Sequence, residues 1–315
     1  MNNRRCLYCY QKLEKGETDF HPSCSKKIFS ASVPPELPYT EAEMDQLALK
    51  IIRSQITITG VQPKLSLEVT GEKGKKEPGR FTIVGLWGSY ILKPPTAKYP
   101  QMPELEDVTM HLAQIAKIET VPHSLIRLKS GTAAYITKRI DRLEHRKLHM
   151  EDMCQLTERL TEQKYHGSYE QIAKAIMNFS STPGLDVVNF FEQVLFSFIT
   201  GNADMHLKNF SLIEAPGIGT KLAPAYDLLA TALINPADTE ELALTLNGKK
   251  RKIGRNDFIA AMTRSGLDPM QQRNILGKFE KVIPQWLEFI DISFLSEEYK
   301  AAYKELLQNN HRRIQ

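Results

Sequence analysis

In the segment GNADMHLKN, Asp204 is followed at D-x-x-x-x-N spacing by Asn209, and a second aspartate, Asp227, comes later in LAPAYDLLAT. A carboxylate beside an acceptor hydroxyl can take its proton. An Asp and an Asn, both hard oxygen donors, can hold Mg²⁺ against phosphate oxygens. This order and spacing suits phosphoryl transfer from ATP, although the His-Arg that usually precedes the aspartate is missing. Upstream, Lys93 ends the run YILKP, ahead of a segment bearing Glu104 and Glu106. A strand lysine on the α- and β-phosphates, oriented by a helix carboxylate, is the other half of such a site, and Glu106 is the preferred partner. In ITITGVQPK, Gly60 and Gln62 are candidates for nucleotide contact, because a glycine between two strands lets backbone N–H groups approach phosphates. The segment is not a GxGxxG.

Taken singly, Asp and Asn in loops more often cap turns than catalyse. The ordered combination with Lys93 favours chemistry. His206, between Asp204 and Asn209, reads as a general base or, preferably, as a brace near the nucleotide that works through its two ring nitrogens. Lys208 could neutralise phosphate charge in the transition state or simply solvate the loop, and it joins Asp204 as a candidate catalytic residue.

The elements that must hold these groups follow from pattern. ITITGVQPKLSLEV and RFTIVGLWGSYILKP are β-branched runs separated by the charged, glycine-containing TGEKGKKEPGR, which predicts an antiparallel strand pair. Helical spacing of Val108, Leu112 and Ile115 predicts a helix from about Pro103 to Ile118, and GTAAYITKRID reads as a further strand ending at Asp141. Thr40 is a plausible N-cap of a short helix carrying Leu47, Ile51 and Ile52. Beyond residue 142 the pattern turns helical. LDVVNFFEQVLFSFIT, entered at Thr182-Pro183-Gly184, predicts a buried central helix that delivers the GNADMHLKN loop, with Phe190, Phe191, Phe196 and Phe198 as core. A short strand, FSLI, and a hairpin then precede Asp227, and charged-faced helices run from Asn256 to Gln315.

Cys6, Cys9, His21 and Cys24 form a C-x₂-C-x₁₁-H-x₂-C head ahead of the connector SVPPELPYTEAE. Two pairs at that spacing can each grip one side of a tetrahedron, so a closed structural zinc site is expected, the alternative being partly buried free thiols. The expected organisation is a head over residues 1–32, an N-terminal lobe over 33–141 and a helical lobe over 142–315.

The 315 residues include 42% apolar and 25% charged residues, with 41 basic against 37 acidic, which excludes a disordered or fibrous class and leaves a net charge of +4, too small to establish nucleic-acid binding. The basic run Lys249, Lys250, Arg251, Lys252 and Arg255 could touch DNA phosphates but reads better as a solvated turn. The start of the chain lacks the apolar run of a signal peptide, and no stretch approaches the roughly 20 apolar residues of a membrane span, so a cytoplasmic protein without membrane contact is expected.

Four segments in order, TITGVQPKLSL, YILKP, GNADMHLKNFSL and LAPAYDLLAT, resemble the HipA family of toxin–antitoxin Ser/Thr kinases over about residues 50–260. The resemblance implies an α+β, two-lobed protein-kinase-like fold that uses ATP and Mg²⁺ to phosphorylate a protein, in characterised members an aminoacyl-tRNA synthetase. It implies inhibition by a helix-turn-helix (HipB-like) antitoxin, with operator DNA met only through that antitoxin. It also implies autophosphorylation of the loop holding Ser54, Thr57 and Thr59, and a place near the adenosine for Asp141. The family usually has Ser where this chain has Thr57. A short head in place of a longer N-terminal subdomain marks the HipT-like form, whose missing subdomain would be a separate small HipS-like protein. The competing reading is a catalytically silent, nucleotide-binding regulatory subunit acting through antitoxin and operator.

Overall fold

The β-rich middle of the chain forms a five-stranded antiparallel sheet from β1 (Leu65–Thr70), β2 (Arg80–Ile83), β3 (Tyr90–Lys93), β4 (His123–Arg127) and β5 (Ala133–Lys138), in the order β2-β1-β3-β5-β4. This computed structural model describes residues 4–44, 46–47, 64–70, 79–84, 87–143 and 146–315. Contacts divide the chain into two compact units, residues 1–107 with 121–140, and residues 108–120 with 141–315.

In the first unit the run RFTIVGLWGSYILKP gives two strands where one was expected. Gly88 explains part of the break: a Cβ there would lie 2.5 Å from the Leu67 carbonyl oxygen, so only glycine lets the chain pass so close to β1. Leu65, Leu67, Phe81, Leu92 and Ile136 alternate inward and are fully buried, as a sheet with one covered face requires. The Cys/His head adds to the same core. Its helix α1 (Pro22–Phe29) sets Phe29 edge-on against Phe81, and Tyr90 donates from its hydroxyl to the Ile28 carbonyl. Thr40 caps the following helical turn, exchanging hydrogen bonds with Glu43. Helix α2 (Met102–Ile115) carries Glu104 in its first turn.

The second unit is mainly helical. Its elements are α3 (Met153–Leu156), α4 (Tyr169–Phe179), α5 (Pro183–Thr200), α6 (Thr231–Ile234), α7 (Arg255–Arg264), α8 (Pro269–Asp291) and α9 (Glu297–Arg312). A two-residue ladder joins β6 (Arg142–Leu143) to β7 (Arg146–Lys147), and a three-stranded sheet, β8 (Met150–Asp152), β9 (Ser211–Ala215) and β10 (Gly219–Leu222), has β9 in the middle. Pro183 starts α5 at its first turn, where a missing N–H costs nothing. Val187, Phe190 and Phe191 are buried, and from Gln193 to Thr200 every residue of the helix is buried, so its C-terminal half is enclosed on all sides while Leu185 near its start is exposed. Phe190 meets Phe210, Phe196 meets Trp286 and Phe198 meets Phe258 in edge contacts 5.0 to 5.5 Å apart. No helix among the described residues is long and apolar enough to cross a membrane.

Candidate active site

The loop that carries Asp204 begins where α5 stops. Gly201 takes the left-handed conformation, φ +68°, and a Cβ there would come within 2.7 Å of Leu306, so glycine ends the helix on both conformational and steric grounds. Asn202 N–H donates to the Ser197 carbonyl, Ala203 N–H to the Thr231 hydroxyl and Asp204 N–H to the Asn202 side-chain oxygen. Leu207–Asn209 then make a single 3₁₀ turn. Asn209 donates its amide nitrogen to the Asp204 carbonyl at 2.9 Å, which leaves its Oδ1 as the atom able to hold a cation. Asp204 itself is exposed. Asp227 stands at φ +56°, an unusual backbone for a residue other than glycine and one that persists only where its surroundings enforce it. The preceding Tyr226 is anchored, its hydroxyl donating to the Lys208 carbonyl at 3.0 Å and accepting from the Ser211 hydroxyl at 2.6 Å.

The other residues of this loop have defined partners. Lys208 forms an ion pair with Asp152 at 2.6 Å. His206 is buried with its ring edge-on to Tyr165, 5.0 Å between centroids, and its Nδ1 has no hydrogen-bond partner among the described residues. Burial holds the imidazole down to a pKa of about 4, so it is neutral near pH 7, while the nearby Asp204 carboxylate pulls the other way. Asp141 is buried against the Arg142 guanidinium at 2.5 Å.

In the first unit Lys93, at the end of β3 and opposite Tyr135 on β5, forms an ion pair with Glu106 of α2. Glu104 is not that partner, and burial raises its carboxyl above the ordinary range. The Lys93 ammonium also lies 5.3 Å from the centre of the Tyr135 ring, a cation–π distance. Next to Glu106, the buried Asp107 accepts from the Tyr10 hydroxyl at 2.7 Å and pairs with His123 Nδ1 at 2.7 Å. The residue that follows Cys9 is thus bonded to the residue that follows Glu106.

Cys6, Cys9, His21 and Cys24 bring their donor atoms within 4.8 Å of one another. His21 Nδ1 lies 3.4 Å from the Cys9 sulfur and 3.7 Å from the Cys24 sulfur, while its Nε2 reaches the Lys12 carbonyl at 3.1 Å. That outer hydrogen bond suits the tautomer that leaves Nδ1 free to ligate, and three thiolates with one imidazole match the preference of zinc. Ser54, Thr57, Thr59, Gly60 and Gln62 lie outside the described residues.

Motif reading missed Tyr165, Asp152, Tyr226 and Tyr10. Tyr165 and Asp152 contact the loop from 39 and 56 residues upstream, and no local spacing records such a contact. Tyr226 was open to inference, since it adjoins Asp227 and a tyrosine beside a polar loop usually needs a partner for its hydroxyl.

An antiparallel sheet presenting a carboxylate-paired lysine, with a helical unit presenting a D-x-x-x-x-N loop and a later aspartate, has the α+β character of a protein-kinase-like fold. Solved structures agree. The chain aligns with HipA from the Shewanella oneidensis MR-1 complex of HipA, HipB and operator DNA at a TM-score of 0.69 and 22% identity, over 96% of this chain and 74% of that one. It also aligns with the Helicobacter pylori proinflammatory kinase CtkA at a TM-score of 0.54 and 17% identity, over 79% and 93%. A family model, the HipA-like C-terminal domain, matches residues 56–287, and the chain belongs to that family. Among curated relatives, the protein named "Putative kinase Y4dM" of Sinorhizobium fredii is 32% identical over 219 residues, 65% of this chain and 52% of its own length. The serine/threonine-protein kinase toxin HipA of Shewanella oneidensis is 24% identical over 256 residues, 74% of this chain and 57% of its own length. The chain thus spans about half the length of the curated relatives it matches.

Proposed function

We propose that this chain is a HipA-like Ser/Thr protein kinase that transfers the γ-phosphoryl group of ATP to a protein. The observation that carries the reading is the Lys93–Glu106 pair: a lysine buried at a strand end and held by a helix carboxylate, in a chain that also orders Asp204, Asn209 and Asp227. A buried ammonium is costly without a partner, so this one is kept for a reason, and gripping ATP phosphates is the reason the family supplies. Asp204, exposed and fixed by its own backbone, would accept the proton of the incoming hydroxyl. Asn209 Oδ1 and the Asp227 carboxylate would hold Mg²⁺, which when bound neutralises charge on the phosphate oxygens. His206, neutral at pH 7, braces the loop, and the Asp152 pairing supports a positioning role for Lys208.

The test is phosphotransfer from labelled ATP·Mg²⁺ into a cell extract. Asp204→Asn should lose about 100- to 10,000-fold, the usual contribution of a positioned proton acceptor, with its circular dichroism unchanged. Full transfer by that variant would overturn the assignment. The family resemblance supports an aminoacyl-tRNA synthetase as target, self-phosphorylation within residues 54–59, a helix-turn-helix antitoxin as inhibitor with operator DNA bound through it, and a HipS-like companion. A labelled band of synthetase size, and co-purification of a small DNA-binding protein, are the corresponding readouts.

The four-donor cluster supports a second assignment, a structural zinc held by Cys6, Cys9, His21 and Cys24. Metal analysis should find one zinc per chain, lost in Cys6→Ser and Cys24→Ser. A stably folded protein without zinc would refute it.

A further inference from the structure

The hydroxyl that Asp204 is proposed to receive from a substrate already has an occupant. Tyr165 Oη lies 2.7 Å from Asp204 Oδ1 and donates to it. That is the relation a general base must have to an acceptor, within hydrogen-bond reach of the proton it takes. The position is also a held one. Leu207 N–H donates to the Lys164 carbonyl at 3.1 Å, tying the backbone next to Tyr165 onto the catalytic loop. The His206 ring packs edge-on against the phenol, and Arg159 fastens the far side of the turn through the His166 carbonyl at 2.5 Å.

The rest of the surroundings suit transfer as well. Tyr165 is 40% exposed, so part of the side chain can be approached from solvent. Lys164 Nζ lies 4.9 Å from the ring centre, which sets a positive charge beside the phenol. A phenolic oxygen stands farther from its backbone than a serine oxygen does, so a site that accepts serine and threonine is ordinarily too shallow for tyrosine. Here the tyrosine belongs to the chain, and its backbone is set back far enough for Oη to meet the carboxylate. Burial of the hydroxyl and the Asp204 carboxylate together raise its pKa, so it arrives protonated and needs a base.

We propose that Tyr165 is a self-phosphorylation site, taking the γ-phosphoryl group in cis from ATP on the same chain. The inference rests on the kinase reading of Asp204. Tyr165 Oη forms the new bond to the γ-phosphorus as the bond from that phosphorus to the β,γ-bridging oxygen breaks. ADP leaves with that electron pair, and the phenolic proton passes to Asp204. The product adds about −1.5 to −2 charges beside an exposed carboxylate, which closes the acceptor position to other hydroxyls. This modification differs from one on Ser54, Thr57 or Thr59, because it blocks the acceptor and not the nucleotide.

The experiment uses the full chain, phosphatase-treated and checked by intact mass, incubated with labelled ATP·Mg²⁺ and then digested and mapped by mass spectrometry, with cell extract in a parallel tube. The expected result is phosphate on Tyr165, formed at a first-order rate that does not change on tenfold dilution, absent from Asp204→Asn, and accompanied by falling transfer to extract proteins. Mapping on the unmutated chain keeps the result independent of whether Tyr165→Phe folds. Extract proteins labelled with no phosphate on Tyr165, or self-label confined to serine and threonine, overturns the proposal and leaves the kinase reading standing. A rate that rises with protein concentration overturns transfer in cis. No label in either tube takes down the kinase reading and this proposal with it.

Discussion

The two halves of the proposed machinery are built on opposite principles. In the first unit Lys93 is 4% and Glu106 1% exposed, with Tyr135 beneath the ammonium and the Asp107 network one residue along the helix. In the second unit Asp204 is exposed, and its backbone is fixed by a glycine stop, a 3₁₀ turn and hydrogen bonds with Asn202 and Asn209, its carboxylate meeting only the Tyr165 hydroxyl among the hydrogen bonds described. A charge that grips phosphates works best preorganised and dry, because a desolvated partner pair leaves little to reorganise when the ligand arrives. A base that must meet a hydroxyl on another molecule has to stay open. The same chain therefore spends burial on one charge and backbone precision on the other.

The sharpest way to break this comparison is a pair of variants. Asp204→Asn should cut transfer by about 100- to 10,000-fold yet leave the urea midpoint unmoved, since removing a charge from an exposed site changes little of the fold. Glu106→Gln should do the reverse first, because it strands a buried ammonium. Loss of one partner of a buried pair costs about 3–5 kcal/mol, read as a lower urea midpoint, with a raised KM for ATP. If Glu106→Gln were as stable as the parent while Asp204→Asn unfolded, the assignment of buried and open halves would be inverted.

Much of this was legible in the sequence, and the reason differs by element. Lys93, Asp204, Asn209 and Asp227 stand out because their chemistry demands those residue types in that order, and the central helix because its apolar residues repeat at 3.6-residue spacing. The clustering of the four donor residues of the head could be read because they sit close together in sequence, and their donor atoms lie within 4.8 Å of one another. The division of the β3 run at Gly88 was not legible, since it depends on how near the Leu67 carbonyl comes. Nor were Tyr10–Asp107, Tyr165–Asp204 and Lys208–Asp152, each a contact between residues far apart in the chain. Pattern records local periodicity and chemical type, and long-range polar contacts carry neither.

A smaller effect tests whether the buried half extends back to the head. Tyr10→Phe keeps the ring and removes the hydroxyl that donates to Asp107, so a fully buried carboxylate loses one donor while His123 remains. The expected cost is about 1–3 kcal/mol by urea unfolding, with a weaker grip on ATP because Asp107 adjoins Glu106. An unchanged ATP affinity would confine the network to stability.

The smallest effect concerns the footing of the open half. His206 is buried beneath Tyr165, and burial depresses its pKa from the ordinary 6.5 to about 4. Between those two values the unfolded chain binds a proton that the folded chain refuses, so stability falls as pH drops through that window. Above 6.5 both states are neutral and the contribution is constant; below 4 both are charged and the slope disappears. One such group allows a slope of at most about 1.4 kcal/mol per pH unit. In magnesium-free buffer the parent should therefore lose about 1–2 kcal/mol more than His206→Asn between pH 7 and pH 5, measured by urea unfolding of both proteins, which share every other titrating group. Equal losses would mean that the imidazole takes up its proton without resistance. The loop beneath Asp204 would then be as wet as the carboxylate it carries, and the contrast between a dry foundation and an open base would fail on the second unit's side.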